Sequence, residues 1–214
     1  MRFNALVIAA VSILLLPICG CTGKVRYPNY YSLSTPPAPP LETAAAWQTG
    51  TLAVRRFETP AYLRQGRIVY RETRDKIGFY EYHRWAIDPG AAISTAVIDS
   101  LRANHWFSLV GPYDSEQRPD YLLTGRVERL DEIDYGGRVR VEARLSAELT
   151  NMRTGAVVWS GSANQTSNVD TRNVNSVVTE MNTAVRGALN DFLLVCRNSS
   201  RAKGRQHVRG VPID

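Results

Sequence analysis

The sequence predicts an α+β fold: an antiparallel sheet with a C-terminal three-strand meander and two amphipathic helices packed on one face. One observation is a strict alternation of apolar and polar side chains over residues 138–149, which indicates a strand with one buried face. Another is the helical spacing of apolar residues that follows Asp88 and, later, Asp170. Such a sheet and such helices bury their apolar faces against each other, which defines the fold class.

The other strands are predicted from short runs of β-branched and aromatic residues. Residues 67–72 and 76–81 are two such runs, and the polar residues between them predict a hairpin. Runs at 121–130 and 156–162 lie on either side of the alternating strand, so three strands follow one another in the chain. A further short strand is expected at 52–54.

Both helices are predicted from a capping residue followed by an apolar stripe. Asp88 supplies an N-cap acceptor, and Pro89 suits the first helical position because its missing amide is not needed there. Asp170 is predicted to cap the second helix. The two stripes recur at spacings of three and four: Ile93, Val97, Ile98 and Leu101, and then Val174, Val177, Val178, Met181, Val185, Leu189, Phe192 and Leu193.

The N-terminus has the organisation of an export signal. A basic residue precedes an apolar stretch at 5–17, which is shorter than the roughly 20 residues that a transmembrane helix needs. The sequence Ile18-Cys19-Gly20-Cys21 resembles a lipobox, with cleavage between Gly20 and Cys21 and a diacylglyceryl group on the Cys21 thiol. Cleavage before Cys19 would place the bulky Ile18 at the cut, so Cys21 is the predicted lipidation site. An ordinary signal peptide with an incidental Cys21 is the alternative.

The chain is expected to contain four parts. These are a lipoprotein signal peptide (1–20), a lipidated N-terminus with a proline-rich linker (21–46), an α+β domain (47–196) and a basic disordered tail (197–214). The sequence "STPPAPP" in the linker favours an extended polyproline segment. The run "YYSL" at Tyr30–Leu33 is unusual for a plain spacer, and it is a candidate edge strand that docks on the domain.

The net charge of +6 belongs largely to the predicted tail. Residues 21–196 contain 20 basic and 19 acidic side chains, whereas the tail has five basic residues against Asp214. A nucleic-acid role would require a basic stripe on the folded body, so none is expected. Cys196 is the one free thiol expected in the mature chain, and therefore no internal disulfide is predicted.

No sequence pattern predicts catalysis, a metal site or a cofactor. The three histidines lack metal-ligand spacing, and the sequence has neither a glycine-rich phosphate loop nor a GxSxG motif. Asp131, Glu132 and Asp134 cluster in a predicted hairpin turn, where we expect them to be solvated; a calcium site there is the weaker alternative. We therefore expect a protein that is not an enzyme.

An aromatic cluster precedes the first helix. Tyr80, Tyr82 and Arg84 are candidates for a partner surface, because amphipathic aromatic residues and arginine are enriched in interfaces. Phe79 and Trp85 are expected to contribute to the core at the junction of helix and sheet. In the alternative interpretation, the whole cluster builds core.

These features occur in an ordered series of short motifs. After Cys21 come "YYSL", "LAVRRFETPAYLRQGRIVYRE", "YHRWAIDP", "YLLTGRVERL" and "VEARLSAELTNMRTGAVVW". Over roughly residues 21–195 the series resembles the ABC-type transport auxiliary lipoprotein family. That family provides outer-membrane partners of MCE-type (mammalian-cell-entry) intermembrane lipid transporters, including the paraquat-inducible system.

The resemblance implies a non-catalytic outer-membrane subunit on the periplasmic face that docks an MCE-type periplasmic protein and serves phospholipid transport. It also implies outer-membrane contact through acyl chains such as palmitate, and self-association into a homo-oligomer. Thr22, where an Asp would retain the protein at the inner membrane, favours outer-membrane sorting. Two other readings stay open: a lipoprotein assembly or lipopolysaccharide-export partner, and a lipid-tethered periplasmic hydrolase.

Overall fold

A computed structural model describes residues 25–34, 50–114, 116 and 118–208. The described chain forms an α+β fold in which two helices accompany one sheet of eight strands. The strands are β1 (Asn29–Tyr31), β2 (Thr51–Val54), β3 (Arg67–Arg71), β4 (Ile77–Trp85), β5 (Leu109–Pro112), β6 (Tyr121–Ile133), β7 (Arg140–Asn151) and β8 (Val157–Asn168). The helices are α1 (Pro89–Ala103) and α2 (Val174–Val208), and a 3-10 turn covers Leu63–Gln65.

The sheet is mixed, so the prediction of an antiparallel sheet is wrong for part of it. Strand β6 pairs antiparallel with β7 and parallel with both β2 and β3. Pairs β1–β4 and β2–β5 are also parallel, whereas β3–β4 is the predicted antiparallel hairpin. The error has a simple cause: side chains alternate with period two in both kinds of sheet, so alternation does not report strand direction.

Strands β6, β7 and β8 pair in chain order, each antiparallel to the one before. The alternation that predicts β7 also determines its faces. Its apolar side chains are buried in the core, whereas the polar residues between them lie on the opposite side of the sheet. The buried residues of β7 are Val141, Ala143, Leu145, Ala147 and Leu149.

Both helices bury their apolar stripes in one core cluster with the sheet. The carboxylate of Asp88 accepts a hydrogen bond from the Ala91 amide at 3.1 Å, which confirms the predicted N-cap of α1. Helix α2 begins at Val174, and the Ser176 amide donates to Asn173 Oδ1 at 2.9 Å. Asn173 is therefore the cap, and the prediction of Asp170 is wrong by three residues.

Helix α2 continues to Val208 and so includes residues 197–208, where a lack of apolar residues predicts disorder. Arg, Ala, Lys and Gln in this stretch have high helix propensity, which accounts for the continued helix. Residues 209–214 lie outside the described chain. Neither helix in the described ranges is both long and apolar enough to cross a bilayer.

Candidate functional site: the N-terminal edge of the sheet

The N-terminal segment 25–34 is built into the domain. Strand β1 pairs in parallel with the end of β4, with Tyr31 opposite Trp85, and the Ala86 amide donates to the Tyr31 carbonyl at 2.8 Å. Tyr31 and Leu33 also pack against the core cluster. The prediction that "YYSL" docks as an edge strand is therefore confirmed, although the strand itself ends at Tyr31.

Two side-chain contacts hold this segment in place. The Tyr31 hydroxyl and His83 Nδ1 form a hydrogen bond of 2.9 Å. The Ser34 amide donates to Asn182 Oδ1 on α2 at 2.8 Å. The segment is thus attached both to the edge of the sheet and to the second helix.

The predicted partner residues lie in and beside a large bulge of β4. Between the pairs Val69–Phe79 and Arg67–Arg84, four residues of β4 face the single residue Ile68 of β3. A bulge bends a strand and redirects its side chains. Tyr80 and Tyr82 fall inside this bulge, and Arg84 closes it.

The bulge gives these residues different surroundings. The Tyr80 hydroxyl donates to Glu132 Oε2 at 2.7 Å, and its ring packs edge-on against Tyr70 and, at a centroid distance of 5.7 Å, against His83. The Tyr82 ring lies 5.9 Å from the guanidinium carbon of Arg26. Tyr80 therefore points inward, whereas Tyr82 contacts the N-terminal segment.

The end of the bulge and the two remaining residues of the aromatic cluster also lie on β4. Arg84 pairs in register with Tyr30 of β1. Trp85 is buried in the core cluster, and Phe79 packs against it, as predicted. Whether Tyr80, Tyr82 and Arg84 contact a partner stays a prediction.

Two of the three clustered carboxylates are buried, so the prediction that they are solvated in a turn is wrong for them. Strand β6 extends through both: Asp131 is 0% exposed and Glu132 2% exposed. A register shift between Val127 and Arg129 inserts one residue. It places Glu132 beside Val141 on the core side and Asp131 on the opposite side.

Asp131 lies in a buried network of charges that sequence reasoning missed. Its Oδ2 accepts from Arg71 Nε at 2.5 Å, and Arg129 Nε lies 3.9 Å away. Glu142 accepts from Arg129 and from Arg144, each at 2.8 Å. The alternating Arg and Glu residues of β7 indicate that charges line one face of the strand. Only the register between β6 and β7 shows which of these charges lie opposite each other.

Burial changes the acidity of this region. Desolvation raises the pKa of the Asp131 carboxyl, against the opposing effect of Arg71. It also raises the pKa of Glu132, with a further contribution from Asp134, while the hydrogen bond from Tyr80 opposes the rise. Burial and the nearby Asp131 raise the pKa of Tyr62 to about 12.

The described chain has no group of three or more His, Cys, Asp or Glu side chains arranged to hold a metal ion. An open groove of about 860 Å³ lies beside the start of α1. Charges at its rim pair with each other: Arg56 with Asp88 at 3.1 Å, and Arg126 with Glu58 at 3.0 Å.

The predicted cleavage and lipidation residues, Gly20 and Cys21, lie outside the described residues.

The fold is similar to several solved structures. Protein XCC0632 from Xanthomonas campestris superposes with a TM-score of 0.71 at 17% identity, covering 83% of this chain and 99% of that one. Hypothetical protein CT253 from Chlamydia trachomatis gives a TM-score of 0.51 at 7% identity, covering 72% and 99%. At these identities the likeness concerns the fold alone. No curated protein sequence gives a significant match.

The sequence also matches a family model. The model describes the ABC-type transport auxiliary lipoprotein component, and the match covers residues 31–191. It begins at Tyr31, the last residue of β1, so it includes the end of the docked N-terminal segment as well as the domain. The match extends over more than half of the chain and agrees with the series of motifs in the sequence. The chain therefore belongs to the ABC-type transport auxiliary lipoprotein family.

Proposed function

We propose that this protein is a non-catalytic, lipid-anchored subunit of an MCE-type phospholipid transport system, which docks the periplasmic conduit at the outer membrane. The observation that carries the proposal is the attachment of the N-terminal segment to the sheet. Asn29, the first residue of β1, is only eight residues from the predicted lipidation site Cys21. Force on the anchor would pass directly into the folded domain.

The contacts of the segment support this mechanical role. Backbone pairing of β1 with β4 and the hydrogen bond from Ser34 to Asn182 distribute a load over the sheet and α2. The burial of Asp131 and Glu132, which accept hydrogen bonds from Arg71 and Tyr80, supports a non-catalytic role, because the carboxylates are closed to solvent. These observations favour a docking subunit over a tethered hydrolase.

The anchor is tested by replacing its thiol. We expect Cys21→Ala to lose acylation and outer-membrane fractionation, because two or more acyl chains make attachment durable. Cys196→Ser is the matched control and should keep both properties. Mass spectrometry of the mature N-terminus and membrane fractionation give the result. An acylated Cys21→Ala protein, or wild-type fractionation without acylation, would contradict the proposal.

The partner is tested by photo-crosslinking in cells from p-benzoylphenylalanine at Tyr82 or Arg84. We expect an MCE protein to be captured from at least one of these positions. Substitution at Leu109, which is exposed on β5 at the opposite edge of the sheet, provides a control for nonspecific capture. Capture of lipopolysaccharide-export or lipoprotein-assembly components instead of an MCE protein would contradict the assignment.

A further inference from the structure

The structure shows an unusual concentration of exposed apolar side chains next to the predicted anchor. In the described ranges, seven large hydrophobic residues are exposed, and four of them lie in the N-terminal segment or beside it. Tyr27 is 81% exposed, Val25 71%, Tyr30 64% and Ile87 63%. We call these four residues the N-terminal patch. Exposed apolar residues in a group are typical of surfaces that meet a partner or a membrane.

The patch belongs to a fixed part of the fold. Tyr30 is in β1, and Ile87 follows Ala86, whose amide bonds to the Tyr31 carbonyl. Upstream of β1, Arg26 lies over the ring of Tyr82. These contacts fix Tyr30 and Ile87 at the edge of the sheet and hold Arg26, the neighbour of Val25 and Tyr27, against β4.

Covalent geometry limits how far the patch can be from the anchor. Four residue steps separate Cys21 from Val25, and a chain spans at most about 3.6 Å for each residue. Val25 therefore lies within about 14 Å of the Cys21 backbone, and Tyr27 within about 22 Å, whatever the conformation between them. If Cys21 is acylated, its backbone lies at the headgroup region of the bilayer, and these residues stay within those distances of it.

We infer that the N-terminal patch contacts the phospholipid headgroup region of the membrane that holds the anchor. This inference rests on the proposed function, because it requires the acylated Cys21. Tyrosine suits the site, since its ring sits among apolar groups while its hydroxyl stays in water, and tyrosines are enriched at membrane interfaces. The nearby charges, Arg26 and Arg84 against Glu81, leave a net charge of only +1, so the contact depends mainly on the aromatic and aliphatic side chains.

The contact gives the anchor a second role. An acyl chain alone holds a protein at a membrane but leaves its orientation free. With the patch against the headgroups, β1 and the residues before it face the bilayer, and the rest of the domain has a defined orientation toward the periplasm. An orientation of this kind is what a docking subunit requires.

The test uses the full mature, acylated protein in vesicles of phosphatidylethanolamine and phosphatidylglycerol at 3:1. p-Benzoylphenylalanine is placed at Tyr27, at Tyr30 and, as a control of similar exposure, at Leu109 on β5, which is 65% exposed. After irradiation, mass spectrometry measures adducts that carry the mass of a vesicle phospholipid. We expect at least ten times more lipid adduct from positions 27 and 30 than from position 109.

Each other result overturns the inference. Equal lipid adducts at all three positions would show that the domain has no preferred orientation, and absent adducts at 27 and 30 would show that the patch does not touch lipid. Adducts at 27 and 30 to a second protein chain would assign the patch to a protein partner. Failure of the proposed function looks different: the N-terminus would lack its acyl mass and the protein would not associate with vesicles.

A variant without the tyrosines adds a second measurement. Tyr27→Ser/Tyr30→Ser leaves Cys21 intact, so the acylated protein should still associate fully with vesicles. With p-benzoylphenylalanine at Ile87, its lipid adduct should fall at least fivefold relative to the protein with both tyrosines. An unchanged adduct from Ile87 would overturn the role of the tyrosines.

Discussion

Along β6, the N-terminal half and the C-terminal half differ in what surrounds them. Residues 121–127 pack apolar side chains into the core and expose Arg126 on the other side of the sheet. In the C-terminal half, charged side chains are buried on both sides: Glu132 beneath Tyr80 and Asp131 beside Arg71. One half is stabilised by apolar packing, whereas the other depends on exact pairing of buried polar groups.

This difference affects how the part of the sheet that carries the N-terminal segment is joined to β6. Strand β3 pairs with β6 at only two positions, Tyr70–Glu132 and Arg71–Ile133. Two side-chain bonds reinforce this short ladder, one on each side of the sheet: Arg71 to Asp131 and Tyr80 to Glu132. The β1–β4–β3 part of the sheet, which carries the N-terminal segment, is therefore joined to the central strand through its charged half.

The largest effect is expected from breaking the buried ion pair. Arg71→Met leaves the Asp131 carboxylate without its main partner, and removal of one member of a buried pair costs about 3–5 kcal/mol. We expect that loss in the free energy of unfolding, measured by urea denaturation of the mature protein. The double variant Arg71→Met/Asp131→Leu should recover most of it, because apolar residues of similar volume can replace such a pair. A loss below about 1 kcal/mol in the single variant would show that the C-terminal half of β6 does not depend on the buried Arg71–Asp131 pair.

The apolar half is tested at a glycine. A Cβ on Gly125 would lie 2.3 Å from Cζ of Phe57, whose ring is buried in the core. Gly125→Ala should therefore cost about 1–3 kcal/mol through overpacking, and Phe57→Leu should partly restore the stability. Gly111→Ala is the control, because a Cβ there meets no atom within 4 Å. If Gly125→Ala leaves the free energy of unfolding in urea unchanged, the core accommodates the extra methyl group and the overpacking argument is wrong.

The sequence predicts the elements well but not the pairing that builds the charged half. Alternation and capping residues are local, and they locate β7 and the start of α1 within about two residues. Burial of Asp131 depends instead on an extra residue in β6 and on a parallel pairing with a strand some 60 positions earlier. No local pattern reports either feature. Docking of the N-terminal segment was predictable, because tyrosines in a proline-rich linker are out of place.

A pH-dependent effect is expected at Glu132. Burial raises its pKa in the folded state. The carboxyl therefore destabilises the fold increasingly as pH rises from the unfolded pKa to the folded pKa, and the penalty is complete above the folded pKa and absent below the unfolded value. Glu132→Gln keeps an acceptor for Tyr80 and has no charge. We expect the variant to gain stability relative to the wild type at pH 7, by less than the Arg71→Met loss, and the gain to vanish as pH falls toward 4.

Urea denaturation across this pH range measures the gain. Exposed Glu148→Gln on β7 is the control and should show no such trend. A Glu132→Gln variant that is less stable than the wild type at pH 7, or whose gain grows on acidification, would mean that the charged form is favoured in the fold. Asp134 and Arg172 also face this region, so both are kept in all variants.

The smallest effect is expected at the exposed ion pair of the same strand. Arg126 and Glu58 approach to 3.0 Å, but their side chains are 62% and 69% exposed. Water and salt screen such a pair, which contributes about 0–1 kcal/mol. Arg126→Met should therefore change the free energy of unfolding by less than about 1 kcal/mol, and less still at 1 M salt. Arg126 and Arg71 are each paired with an acid, and one member of each pair lies on β6. A large loss at Arg126 would therefore show that burial does not separate the two halves.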